Sequence, residues 1–143
     1  MGEDVQLMVN VRLFDFDQDY EEMVRWVATA GHEAPAVIML PAIGSLVEID
    51  GKKIGCAFLY LATDCPVAFL EFLYFNPEAT PKEKHNALGH LIKSLEAVAK
   101  GEAHNIIFTL SKTDSMGRIF KKNAWLSNGD GYSQLIKIIE PGD

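Results

Sequence analysis

The stretch Ala68-Phe69-Leu70-Glu71-Phe72-Leu73-Tyr74-Phe75 constrains this chain more than any other. It is apolar at both parities, where a strand with one wet face would alternate, so it reads as a central strand covered on both faces. Asn76-Pro77 ends it, because proline has no N–H to give a sheet ladder. Leu88, Leu91, Ile92, Leu95 and Val98 or Ala99 then recur at helical spacing, a single stripe that packs back onto the sheet. A buried strand running into a helix N-terminus presents backbone N–H groups where an anionic ligand can meet them. Chemistry is expected at that junction.

The 143 residues predict one domain, 1–143, long enough to bury about two-thirds of the surface of the unfolded chain. Twenty acidic against thirteen basic side chains leave a net charge of −7, which argues against nucleic acid as a partner. The longest apolar run, near Ile54–Ala62, is far short of the roughly 20 residues that span a bilayer. Met1-Gly2-Glu3-Asp4 lacks the basic start of a secretory signal. A cytoplasmic protein with no membrane partner is therefore expected, with Cys56 and Cys65 as reduced thiols. No metal is expected, since His85 and His90 fall on different faces of the helix. A homodimer is compatible with this composition.

Upstream, Val5, Leu7, Val9, Val11 and Leu13 share one parity and predict a first strand over 5–14. Asp15 or Asp17 caps a helix with the stripe Tyr20, Met23, Val24, Val27 and Ala28, and Gly31 is its expected terminator. Asp15, Asp17, Asp19, Glu21 and Glu22 crowd the start of that helix: either a solvated first turn suited to the helix dipole, or an acidic wall for a cationic substrate. His32 to Gly44 reads as a loop or a short helix. Asp50-Gly51 predicts a tight hairpin between 45–49 and 53–61. After the long helix come a strand over 105–110, a short helix over 115–123, a turn at Asn128-Gly129-Asp130-Gly131 and a last strand over 132–139. The whole is a mixed α/β layer fold.

This order resembles the GNAT superfamily of N-acetyltransferases. Leu46 to Gly55 looks like that family's second and third strands with their acidic-Gly hairpin. Leu73 to Ala79 looks like the end of its fourth strand, and Phe120-Lys121-Lys122-Asn123-Ala124-Trp125 like its late helix. The resemblance implies a GNAT-like fold, a mostly antiparallel sheet with one splayed parallel pair, Ala68–Phe75 beside 105–110, and flanking helices. It implies acetyl-CoA between those two strands, with Leu73 and Phe75 as backbone partners of the pantetheine. The family's pyrophosphate loop aligns with Glu83-Lys84-His85-Asn86-Ala87-Leu88, so Lys84, His85, Asn86, Ala87 and Leu88 become candidate cofactor-binding residues. The motif is degenerate: both glycines are missing, its leading basic residue is Glu83, and Gly89 comes one place late. Thr80-Pro81-Lys82-Glu83 also reads as a capping box, which would satisfy the helix N-terminus from within.

Glu71 is the leading catalytic candidate. Sharing a parity with Phe69, Leu73 and Phe75, it projects among apolar groups, and desolvation would raise its pKa toward that of a base for an ammonium. The alternative is a glutamate paired to a Lys or Arg across the sheet, or one reaching solvent at a strand edge. Some GNAT enzymes use a glutamate on this strand as base. The tyrosine they use as acid aligns with Phe120, leaving Tyr74, Tyr60 or water to protonate a thiolate. Tyr74 is also readable as a core aromatic, and Cys56 as a small core residue. The resemblance points to an N-acetyltransferase that passes acetyl from acetyl-CoA to a primary amine, small or on a protein, by direct attack. Its alternative is a non-catalytic GNAT-like binding or assembly protein that has lost acetyl-CoA; short degenerate chains of that kind occur among phage proteins. A third expectation is a transferase that uses another thioester, such as an acyl carrier.

Overall fold

The computed structural model describes residues 7–111, 114–128 and 133–139. The chain runs β1 (Val9–Leu13), α1 (Phe16–Thr29), a single 3-10 turn (Val37–Met39), β2 (Gly44–Ile49), β3 (Lys52–Leu61), β4 (Val67–Phe75), α2 (Pro81–Gly101), β5 (Ile106–Ser111), α3 (Asp114–Lys122), β6 (Leu126–Asn128) and β7 (Ser133–Ile138). One sheet takes all seven strands in the order β1-β2-β3-β4-β5-β7-β6. Among the described residues only β4 and β5 run parallel, and every other neighbouring pair is antiparallel.

Local chemistry sets the elements. Asp50 and Gly51 both take positive φ, 51° and 81°, the conformation that a two-residue hairpin needs, and Ile49 faces Lys52 across it. The side chain of Asp15 caps α1 by accepting from the Asp17 and Gln18 amides. Gly31, with φ 85°, ends it: the Gly31 N–H donates to Ala28 and the His32 N–H to Val27, the paired bonds of a glycine-terminated helix. Thr80 and Glu83 form the expected capping box on α2, with Pro81 in the first turn.

Two cores lie on opposite faces of the sheet. On one, the α2 stripe Ala87, Leu88, Leu91, Ile92, Leu95 and Ala99 packs on Val47, Ile49, Ile54, Ala57 and Leu59, with Phe120 of α3 and Trp125 beside it. On the other, Met23, Trp26 and Val27 of α1 pack on Leu46, Cys56 and Phe58, with Phe14 and Leu40 closing the ends. The stripe of α1 is rotated from the expected one: Trp26 is buried and Ala28 exposed. Residues 5–6 of the expected first strand, and 129–131 of the expected turn, lie outside the described residues. The short β6, which the sequence reading missed, pairs with β7.

Candidate functional site

The strand expected to be covered on both faces is central, but only Ala68 and Leu70 of it are fully buried; Phe69 is 40% exposed. A seam also opens along the strand. Val67, Ala68 and Phe69 pair with Ile106, Ile107 and Phe108. The Thr109 hydroxyl then donates to the Leu70 carbonyl at 2.9 Å. From there to Phe75 no further pairing joins β4 to β5 among the described residues.

A bulge in β4 coincides with the parting. Phe72 has φ 53°, a left-handed conformation that costs a bulky residue about 1–2 kcal/mol. Against β3, Phe58 faces Glu71 while Cys56 faces Tyr74, so β4 spends one residue more than its partner. The ring of Phe72 is held among Phe58, Tyr60 and Tyr74, with centroids 6.5, 6.2 and 6.4 Å away. The extra residue reverses the strand's alternation. Leu73 and Phe75 turn to the α2 core, whereas Phe72 and Tyr74 join the α1 core. Glu71 therefore does not share a face with Leu73 and Phe75, which corrects the parity expected from the sequence.

Glu71 is half-buried, and desolvation alone raises its carboxyl above the ordinary range. Among the described residues it makes no salt bridge, so the cross-sheet partner considered above is not found there. Burial raises the Tyr74 hydroxyl, and the nearby Cys56 and Glu71 add to that rise; the two catalytic candidates sit within electrostatic reach of each other. Cys56 is fully buried and its thiol is pushed far up by desolvation, the state of an inert core residue. Tyr60 donates its hydroxyl to the Met39 carbonyl. Beside the free edge of β4 lies a cleft of about 510 Å³, with Trp26, Val27, Ala30 and His32 on one wall and Leu73, Tyr74 and Phe75 on the other. No pattern in the sequence marked Trp26 or His32, because the wall forms only when α1 crosses β4.

Most of the helix N-terminus beyond the cleft is already filled. The Thr80 N–H donates to the Glu83 carboxylate at 2.8 Å and the Glu83 N–H to the Thr80 hydroxyl at 3.1 Å. Lys84 N–H bonds the Thr80 carbonyl, so regular helix is under way at that residue. Lys84, His85, Asn86, Ala87 and Leu88, expected in a phosphate loop, all lie inside α2. Ala87 and Leu88 are buried core residues, and their backbone N–H groups belong to the helix ladder. Lys84 and His85 retain side chains that reach solvent.

The acidic start of α1 is mostly structural. Asp19 is 1% exposed and accepts a two-pronged bond from Arg12 at 2.8 and 2.9 Å and one from the Asp15 N–H at 2.8 Å. Lys53 Nζ lies 2.8 Å from Asp19 Oδ1, the oxygen that also accepts from Arg12 Nη2. These bonds hold its carboxyl at about 2 despite burial. Phe120, at the position where the resemblance puts an acidic tyrosine, is buried edge-on against Trp125 with centroids 4.9 Å apart. Among the described residues, no group of side chains is arranged to hold a metal ion, and no helix is long and apolar enough to cross a membrane.

The overall fold is shared with solved structures. The chain has the GNAT acyltransferase fold. A GNAT-family acetyltransferase from Desulfovibrio desulfuricans matches 93% of this chain and 99% of its own with a TM-score of 0.68 at 16% identity. The protein yncA from Salmonella typhimurium, solved with acetyl-CoA, matches with a TM-score of 0.70 at 10% identity over 93% and 95% of the two chains. N-acetylglutamate synthase from Neisseria gonorrhoeae, complexed with coenzyme A and L-arginine, matches with a TM-score of 0.69 at 17% identity, over 92% of this chain but 33% of its own. This chain thus spans about a third of the synthase. No family model matches the sequence, and no curated protein matches it.

Proposed function

We propose that this chain is an N-acetyltransferase that moves acetyl from acetyl-CoA to a primary amine by direct attack. The observation that carries the reading is the half-buried Glu71, raised by desolvation and set at the point where β4 leaves β5. The backbone groups of Leu73 and Phe75 on the free edge would align the pantetheine arm, and the cleft against Trp26 and Val27 would cover it. Coenzyme A or acetyl-CoA in the similar structures supports the choice of donor.

The ammonium of the acceptor first gives a proton to Glu71, directly or through water. The freed nitrogen lone pair attacks the thioester carbonyl, the C–N bond forms and the C–S bond breaks. Tyr74, kept protonated by burial, donates its proton to the departing sulfur. The second N–H proton of the amine restores the tyrosine through solvent. One amide, one thiol and one released proton are the balance.

Acetyl-CoA raises the melting midpoint of the chain if it binds the folded state, and amide formation with a panel of amines is then followed across pH. Activity should rise with pH as Glu71 loses its proton, along a limb above the ordinary carboxylate range. In Glu71→Gln that limb should vanish and the rate fall about 100-fold or more. An unchanged profile in the variant removes Glu71 from the mechanism. The capped N-terminus of α2 favours a second reading, a GNAT-like binding module without a donor, which the absence of any shift with acetyl-CoA or CoA would support.

A further inference from the structure

Resting on the transferase reading, we infer that the donor is recognised by its acylated pantetheine arm alone, with no grip on the nucleotide or its phosphates. The chain therefore takes acyl-pantetheine thioesters as a class, coenzyme A being one carrier of that arm among others.

Two independent features of the site lead there. The first is what already occupies the end of the cleft. A pyrophosphate at α2 would need free N–H groups and a backbone it can approach closely. Pro81 has no N–H, the Thr80 and Glu83 N–H groups are taken by the capping box, and the Lys84 N–H bonds Thr80. The Glu83 carboxylate itself stands where an anion would gain most, and its bond to the Thr80 N–H, with Lys52 nearby, keeps it ionised. A phosphate arriving there meets a negative charge instead of a vacancy. Lys52 is engaged with this same Glu83 at 3.6 Å and with the Glu78 carbonyl at 3.2 Å. No residue from Asn76 to Leu88 is a glycine, so a Cβ stands at every step of the approach.

The second feature is the character of the space that leads away from β4. The cleft beside Leu73 and Phe75 is walled by Trp26 and Val27, and His32 and Tyr74 are its titratable side chains. The adjoining recess toward Asn76 and Pro77 carries two carboxylates, Glu22 and Glu78, against one cation, Arg25. A neutral chain of two amides suits an unpaired strand edge and an apolar wall, since its N–H and C=O groups can continue the ladder. Phosphates continuing into the recess would pass acidic side chains, within a chain of net charge −7.

Direct binding to the full chain tests this, with acetyl-CoA, S-acetyl-pantetheine and adenosine 3′,5′-bisphosphate as probes. The two thioesters should bind within about threefold of each other, and the bisphosphate should not displace acetyl-pantetheine. Acetyl-CoA binding more than about 30-fold tighter, or displacement by the bisphosphate, overturns the inference and leaves the transferase reading standing. Failure of both thioesters to bind overturns both. A gain-of-function variant adds a positive arm: Thr80→Ala with Glu83→Gln frees the N–H of residue 83 and removes the competing charge. It should tighten acetyl-CoA about fivefold or more and leave acetyl-pantetheine unchanged; equal effects on the two count against the inference. Transfer rates then separate the natural sources of the arm. An acyl carrier protein loaded with acetyl-phosphopantetheine that outperforms free acetyl-pantetheine about tenfold makes the carrier the source, and equal rates make it a small thioester.

Discussion

Replacing Asp19 by Asn keeps the side chain's shape and deletes one buried charge. In the native protein that carboxylate is inaccessible, receives Arg12 in a two-pronged bond, faces Lys53 at 2.8 Å and accepts the Asp15 N–H. The pairing holds its pKa at about 2 where 3.8 is ordinary, which corresponds to ~2.5 kcal/mol of stability at neutral pH. Deleting one partner of a buried pair costs about 3–5 kcal/mol. Here Arg12 and Lys53 keep Glu48 and Glu22, each at 3.2 Å, so about 3 kcal/mol is expected. The sign follows from the depressed pKa: the contribution is complete above pH 4 and is lost as pH falls toward 2. Urea unfolding of both proteins should show the full gap at pH 7 and roughly half of the linked part remaining at pH 3. A gap under about 1 kcal/mol at pH 7, or one that does not narrow with acid, would refute the assignment of Asp19 as the pin between α1, β1 and β3.

Two further outcomes are expected. Gly55→Ala would place a Cβ 2.7 Å from the Phe75 ring and 3.1 Å from the Tyr74 carbonyl oxygen; a loss of about 1–3 kcal/mol in urea unfolding should follow, and a neutral result would mean that β3 and β4 can part there. His104 sends Nε2 to the Ala62 carbonyl and Nδ1 to that of Glu102, both at 2.7 Å, which satisfies both contacts only as imidazolium. Its pKa is raised by those carbonyls, so its contribution is complete below about pH 6.5 and fades as pH rises through the folded value. The melting difference between wild type and His104→Gln should shrink accordingly, and a pH-independent difference would remove the charge from the account.

Much of the architecture was legible because single residues determine it. Asp50-Gly51 permits little except a tight turn, Thr80-Pro81-Lys82-Glu83 marks a helix start, and Leu88, Leu91, Ile92 and Leu95 can share a face only in a helix. The candidate site was harder. A bulge is seen in a sequence when it breaks an alternation, and a strand apolar at both parities has none to break, so the reversal at Phe72 left no trace. The acidic run at α1 concealed Asp19 for the opposite reason: five similar carboxylates differ only in what the fold brings to them, here Arg12 and Lys53 from other strands. Trp26 and His32 became cleft residues through a tertiary crossing that periodicity does not encode.

The left-handed step at Phe72 also fixes what evolution or an engineer can do to this molecule by length alone. Deleting that one residue would restore uninterrupted alternation with Leu73 and Phe75 kept in the α2 layer, and would let β4 continue alongside β5 like two halves of a closing zip. The result would be a continuous sheet with no gap between β4 and β5: a single codon would separate an open scaffold from a shut one.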